Sequence, residues 1–353
     1  MAEVDTHWRY RGLQVVRLEN DLIRMDVLPE VGAKIYNFIH KPSGRNLLWH
    51  NPNVPPARQG FGACFDDNWS GGWDELIPND MPGPEPQGDI LPDHGEVWSQ
   101  PARWKVIQPG GETSTCVSPR GKSGQSSEIR HERRPAEVRF LTHTRVLPVQ
   151  FEKTLQLRDG ESFVRVHYRL SNLGLEPYEF LWNIHPAMNI TPDTRLDVPA
   201  EEGFTDPWRS KQFPGYGKFR WPTVNDQQGR PVDLRKVEPS GANIADHHYL
   251  MGVREGWYAV TDQKSRVGFG LVFPKEVFPN IWLFRTFGGW RGLYTLILEA
   301  SNGCSRDIQE ARAKGQCGRL EPGATLEADV LAVAYGGVTS VARIEPDGKV
   351  VPG

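Results

Sequence analysis

The chain has 353 residues, 38% of them hydrophobic, and a formal net charge of −3; so even a balance gives no electrostatic basis for binding nucleic acid or an anionic membrane. The opening MAEVDTHWRYRGLQVV lacks the apolar run of a signal peptide, and no later stretch is long enough to span a bilayer, so a cytoplasmic protein is expected. Four widely spaced cysteines, Cys64, Cys116, Cys304 and Cys317, form no Cys-x-x-Cys pair, which argues against a disulfide framework or a zinc knuckle.

Thirty-six glycines and 29 prolines punctuate short apolar segments, the pattern of many strands joined by turns. Residues 13–20, 22–29 and 33–40 read as three strands, and KPSGRN at 41–46 as a turn. The 50–92 segment is long, polar and turn-rich. Overlapping its end, 71-GGWDELIPNDMPGPEPQGDILPDHGEVWSQPARW-104 crowds seven carboxylates, three tryptophans and a histidine into a stretch too broken by proline and glycine for a central strand. Residues 149–174 give the cleanest hairpin, with Asp159-Gly160 at the turn; Val164, Val166, Tyr168 and Leu170 share one face, and Arg165, His167 and Arg169 the other. Further strands are expected at 178–184, 249–253, 267–273, 281–287, 294–299 and 326–336. A second long polar segment covers 201–245; loops of such length are uncommon unless they cover a binding site or extend a sheet edge. Only 304–315 reads as helix, with Gly315 placed to stop it. The pattern is that of an all-β fold, a large antiparallel sandwich, expected as a single domain over 1–353.

Three positions carry side chains suited to proton transfer. His94 lies in 92-PDHGEVW-98, where the following glycine leaves the ring unshielded; a surface loop histidine is the plain alternative. His185 closes 178-YEFLWNIH-185, and Pro186, which has no N–H to give a ladder, places it at a strand end; a satisfied core histidine is the alternative. Glu299 ends 294-YTLILE-299, apolar on both faces, where a carboxylate is costly to desolvate unless something binds it. Asp246 lies in 245-ADHHYLMGV-253; the adjacent His247 and His248 point to opposite sides of an extended chain, so a shared metal is geometrically poor and a hydroxyl-binding aspartate the more natural use. Twelve tryptophans exceed the usual needs of a core, and indoles outside a core commonly line concave ligand sites.

Taken in order, these motifs resemble the aldose 1-epimerases, the galactose mutarotase-like family. LENDLIRMDVLPEVGAKIYNFIHKPSGRNLLW is similar to its opening strands, PDHGEVW to its first His-Gly motif and FLWNIHPAMNI to its second histidine segment. ADHHYL resembles its Asp-His segment, YTLILEAS its late strand ending in glutamate, and LEPGATLEADVLAVAYGG its last strand pair. The resemblance spans roughly the whole chain. Two segments depart from it: GGWDELIPND replaces the usual arginine motif ahead of the first histidine, and HPAMNI lacks the Tyr-Phe-Asn-Leu of typical galactose mutarotases.

The resemblance implies a β-supersandwich with a sugar cleft across one sheet. It makes Glu299 the general base and His185 the general acid, with His94 near the reacting oxygens and Asp246 on sugar hydroxyls. Interconversion of anomers needs a proton taken from the C1 hydroxyl and one given to the ring oxygen, which a carboxylate and an imidazolium do without metal or cofactor. Each charge favours the other, so an ionised glutamate beside a protonated histidine is expected at neutral pH. Trp73, Trp98 or both are expected as platforms for sugar C–H faces, and Asp74, Glu75 and Asn79 as hydroxyl ligands, the alternative being indoles that cap the core and acids that face water. Arg285 and Trp290 are expected as cleft wall, Arg285 meeting any anionic group. The partner implied is a small sugar, with neither nucleic acid nor membrane, and the protein a monomer or homodimer. Two other readings are weighed: a non-catalytic carbohydrate-binding or sensing protein, and a metal-dependent hydrolase using His94, Glu96 and the 246–248 cluster.

Overall fold

In the computed structural model, which describes residues 1–86, 88–117, 128–208, 210 and 212–353, the alternating segments pair into two large antiparallel sheets. The side chain of Cys116 lies outside the described ones. The smaller sheet runs Arg103–Pro109, Ala136–His143, Val149–Leu157, Phe163–Asn172, Thr325–Gly336, Val267–Val272, Trp257–Asp262 and Thr194–Asp197 in spatial order. Its hairpin at 149–172 follows the expected alternation: Val164, Val166, Tyr168 and Leu170 are buried, while His167 faces outward against Asp329. Burying each such aliphatic side chain is worth about 1.5–3 kcal/mol, which sets the register.

The larger sheet contains, side by side, Lys34–His40, Trp73–Leu76, Asn183–Met188, Tyr294–Ser301, Asn280–Phe287, Ile244–Met251 and Glu202–Thr205. One face packs on the smaller sheet: Phe38 and Trp73 both meet Phe269 edge-on, at ring separations of 5.7 and 6.2 Å. The other face carries a separate apolar cluster that includes Phe65, Trp69, Phe284, Trp290 and Ile297. That second cluster surrounds the site described below.

Two expectations about these strands need correction. Trp73–Leu76 is a buried central strand despite the glycines and prolines around it, because the breakers fall outside its four residues. Likewise the strand does not stop at His185 but continues through Pro186 to Met188. The ladder to Tyr294–Ser301 holds at Asn183–Ser301 and Ile184–Ala300, lapses, and resumes at Ala187–Ile297. The lapse is where a proline has no N–H to offer. The 201–245 segment extends the sheet edge through short strands at Lys218–Arg220, Thr223–Asn225 and Pro231–Asp233. The expected helix forms over Ile308–Ala313, with Asp307 capping it by accepting from the Gln309 N–H.

Candidate functional site

Register places the first pair of groups. Continuing the ladder between Asn183–Met188 and Tyr294–Ser301 sets His185 across from Glu299, both on the face that carries the aromatic cluster. His185 Nε2 lies 4.0 Å from Glu299 Oε1. The next two strands add Phe284 and Trp282, then His247, to the same face. Loops supply the walls: Phe65, Asp66 and Trp69 from a short helical segment, with Asp80, His94, Trp208, Trp290 and Arg306 around them. The hollow they line holds about 450 Å³ between its atoms, open mouth included.

His94 reaches the hollow on a strained loop. Its φ is +58°, in the left-handed region, and Gly95 follows at +75°. A Cβ on Gly95 would stand 2.2 Å from the Ile77 carbonyl oxygen, so only glycine fits there. The His94 N–H donates to the Asp80 carbonyl at 2.6 Å, which fixes the turn. On its ring, Nδ1 is 2.8 Å from Asp93 Oδ1 and Nε2 is 3.4 Å from Asp80 Oδ1. Phe65 stacks on the same ring at 4.1 Å.

These surroundings split the two histidines. Burial opposes charge on His94, but Asp80, Asp93 and Asp66 outweigh it and raise its pKa, which favours the imidazolium there. Burial pushes the His185 pKa well below the usual histidine value, and the His94 and Lys34 charges push the same way. Burial also drives Glu299 well above the carboxylate range, helped by Asp80, while nearby Asn183 and Arg306 pull back too weakly. Both shifts run against the ion pair of ionised glutamate and protonated His185 expected from the sequence. Burial disfavours both charges, which favours glutamic acid beside neutral imidazole over the ion pair.

Among the described residues, several buried polar atoms of this wall have no hydrogen-bond partner: Glu299 Oε2, His185 Nδ1, and the indole nitrogens of Trp69 and Trp290. Buried polar groups are nearly always paired, so such a group of orphans around one hollow fits a ligand rich in hydroxyls.

Of the residues singled out from the sequence, His94, His185, Glu299 and Trp290 line the hollow together. The others lie elsewhere, for physical reasons. Trp73 is fully buried between the sheets. Glu75 points into the same core, accepting from Tyr168 Oη at 2.6 Å beside Lys153 at 3.5 Å. Asp74 pairs with His185 in register but is held by Lys34 Nζ at 2.8 Å. Asn79 spends its amide on the carbonyls of Met81 and Pro92, bracing the loops of Asp80 and His94. Trp98 stands behind Phe65 and donates to the Asp93 carbonyl. Asp246 and Arg285 are directly opposed on neighbouring strands and form a double hydrogen bond, 2.8 Å at each oxygen, on the face away from the hollow. His248 joins them at 3.0 Å, while His247 takes the opposite side, as alternation requires. Glu96 accepts from the backbone N–H groups of 145–147 and is thereby a loop anchor. Among the described residues no group of three or more His, Cys, Asp or Glu is placed to hold a metal.

Sequence reasoning missed Asp80, Arg306, His247 and the Trp69 and Trp208 indoles. Only His247 left a trace: the alternation that buries Asp246 and His248 turns it outward.

No family model matches the chain, and no curated protein does. Solved structures do match it. A candidate aldose 1-epimerase from Klebsiella pneumoniae superposes with a TM-score of 0.66 at 13% identity, over 95% of this chain and 83% of that one. A second candidate aldose 1-epimerase, from Escherichia coli K12, gives 0.61 at 15% identity over 92% and 100%. A galactose mutarotase-like protein from Lactobacillus casei gives 0.61 at 14% identity over 91% and 100%. The protein has the galactose mutarotase-like fold, an all-β sandwich of large antiparallel sheets.

Proposed function

We propose that the protein is a cofactor-independent aldose 1-epimerase-type enzyme that interconverts the α and β anomers of a free or derivatised aldose. The observation that carries this reading is the 4.0 Å approach of His185 to Glu299 at the base of an indole-walled hollow. A binding protein has no need of an acid and a base with one proton between them.

Ring opening takes a proton from the C1 hydroxyl and delivers one to the ring oxygen. The aldehyde forms, the C1–C2 bond turns, and closure on the other face reverses both transfers. The pair performs this in either proton arrangement, because opening and closing exchange the roles of donor and acceptor. With Glu299 protonated and His185 neutral, Glu299 gives its proton to the ring oxygen while His185 accepts that of the C1 hydroxyl. His94, kept cationic by Asp80 and Asp93, supplies a fixed positive charge near the oxygen on which negative charge develops.

The test is exchange NMR of anomeric protons over a panel of aldoses. Wild type is expected to accelerate exchange for at least one of them, and Glu299→Gln and His185→Ala each to lower the rate by about 10²–10⁴-fold. Acceleration that survives both substitutions would show that other groups move the protons. Saturable sugar binding without acceleration would favour the carbohydrate-binding reading.

A further inference from the structure

Arg306 lines the hollow and takes no part in the proton transfer. It lies in the loop between the strand Tyr294–Ser301 and the helix Ile308–Ala313, and three contacts fix it. Its Nε donates to Asp80 Oδ2 at 3.0 Å, and its carbonyl accepts from the Met81 N–H at 3.0 Å. Its guanidinium carbon stands 4.3 Å from the centre of the Trp208 ring. Among the described residues, its two terminal nitrogens have no hydrogen-bond acceptor, and 18% of the side chain remains accessible. A guanidinium held by Nε and by one face presents its remaining donors as a preset fork.

The charges around the fork decide what it takes. Asp80 already neutralises Arg306, and its other oxygen faces His94. Asp66 lines the same hollow, and Asp206 stands behind it, 3.7 Å from His247 Nδ1. A phosphate or carboxylate reaching the fork would meet the carboxylates of Asp80 and Asp66, with Asp206 behind the hollow, and His94 as the other cation-forming group beside Asp80. Two neighbouring hydroxyls would face no such repulsion: they accept from the fork and donate to Asp80. Taking the hollow as a sugar site, we propose that Arg306 is the specificity-determining residue, holding a vicinal pair of hydroxyls, with Asp80 as its positioning residue, and that this corner selects uncharged sugars over their phosphorylated or carboxylated derivatives.

Anhydro sugars separate this proposal from catalysis, because 1,5-anhydro-alditols have no anomeric hydroxyl and cannot change anomer. Tryptophan emission reports their binding, since Trp69, Trp208, Trp282 and Trp290 line the hollow. The gluco, galacto and manno compounds and their 6-phosphates are titrated into the full chain. At least one neutral compound is expected to saturate, and to bind at least about tenfold more tightly than its 6-phosphate, since a site built to pair hydroxyls penalises a mismatched group. Arg306→Gln removes the fork and the charge, while Arg306→Lys keeps only the charge. Each is expected to weaken the neutral ligand by about 10–100-fold in protein that still melts cooperatively, and to raise KM for aldoses more than it lowers kcat. Tighter binding of a 6-phosphate, undiminished binding by folded Arg306→Gln, or no neutral compound that binds would each overturn the proposal. Arg306-dependent binding with no anomer exchange by wild type would remove the mutarotase reading and leave this one standing.

Discussion

Glu299 and His185 show how burial, and not proximity alone, sets a protonation state. Their separation of 4.0 Å would favour an ion pair in water-like surroundings, yet both are buried and both are driven towards neutrality. Activity is expected to be bell-shaped in pH, with a plateau wherever the pair holds one proton. The acid limb falls below about 6.5, the ordinary histidine value, because the His185 pKa is lowered; the alkaline limb lies well above the ordinary carboxylate range, because that of Glu299 is raised. A rate flat from acid to alkaline pH would count against the pair. The same shift affects stability. The unfolded chain releases the Glu299 proton near pH 4.3, whereas the folded protein keeps it to a higher pH, so stability falls as pH rises between those two values. Glu299→Gln cannot ionise. Its unfolding free energy, measured in urea, is expected to match wild type near pH 4 and to exceed it increasingly towards neutrality, by about 0.5–2 kcal/mol. His94, His185 and Glu299 were legible as site candidates from the sequence because each departs from its local pattern. Asp80 and Arg306 were not, since a loop carboxylate and a loop guanidinium look like solvated surface until folding brings them together.

Among the strands, the pairing of Ile244–Met251 with Asn280–Phe287 turns Asp246 from a ligand candidate into a structural group. The Arg285 guanidinium, directly opposite, holds the Asp246 carboxyl well below the usual carboxylate range, although burial alone would raise it. Asp246→Asn leaves Arg285 buried without its counter-charge, a loss expected to cost about 3–5 kcal/mol. Equilibrium unfolding in urea would check this; a cost under about 1 kcal/mol would mean that the pair is not what holds these strands. The sequence showed that Asp246 and Arg285 each lie on a strand, but which strands are neighbours, and at what register, is a long-range property. Similarly, Pro186 reads locally as a strand end. It is tolerated within the strand because partners on both sides hold the flanking residues, and the lapse it causes falls where His185 meets Glu299.

Across the whole molecule, the two sheets are joined by an apolar core that encloses a polar contact. Glu75 of the larger sheet accepts from Tyr168 Oη and faces Lys153 of the smaller, all three buried. Desolvation opposes both charges, raising the Glu75 pKa and lowering that of Lys153. Lys153→Met alone is expected to cost about 3–5 kcal/mol by stranding Glu75, whereas Lys153→Met with Glu75→Gln, which keeps an acceptor for Tyr168, should lie within about 1 kcal/mol of wild type or be more stable. A double-mutant cycle by denaturant unfolding measures the coupling. If the single and double replacements cost the same, the two sheets are not coupled through this pair.

Local pattern was enough to give the all-β class, the faces of the 149–172 hairpin, the helix before Gly315 and three of the side chains that line the hollow. Those features rest on period-two alternation, turn residues and the cost of burying a lone charge, all of which act over a few residues. Tertiary structure alone decided which tryptophans wall the hollow, which acids are spent on lysine or arginine, and which histidine has carboxylates beside it. A side chain's solvation and counter-charges come from strands far apart in sequence, and local alternation holds no information about them.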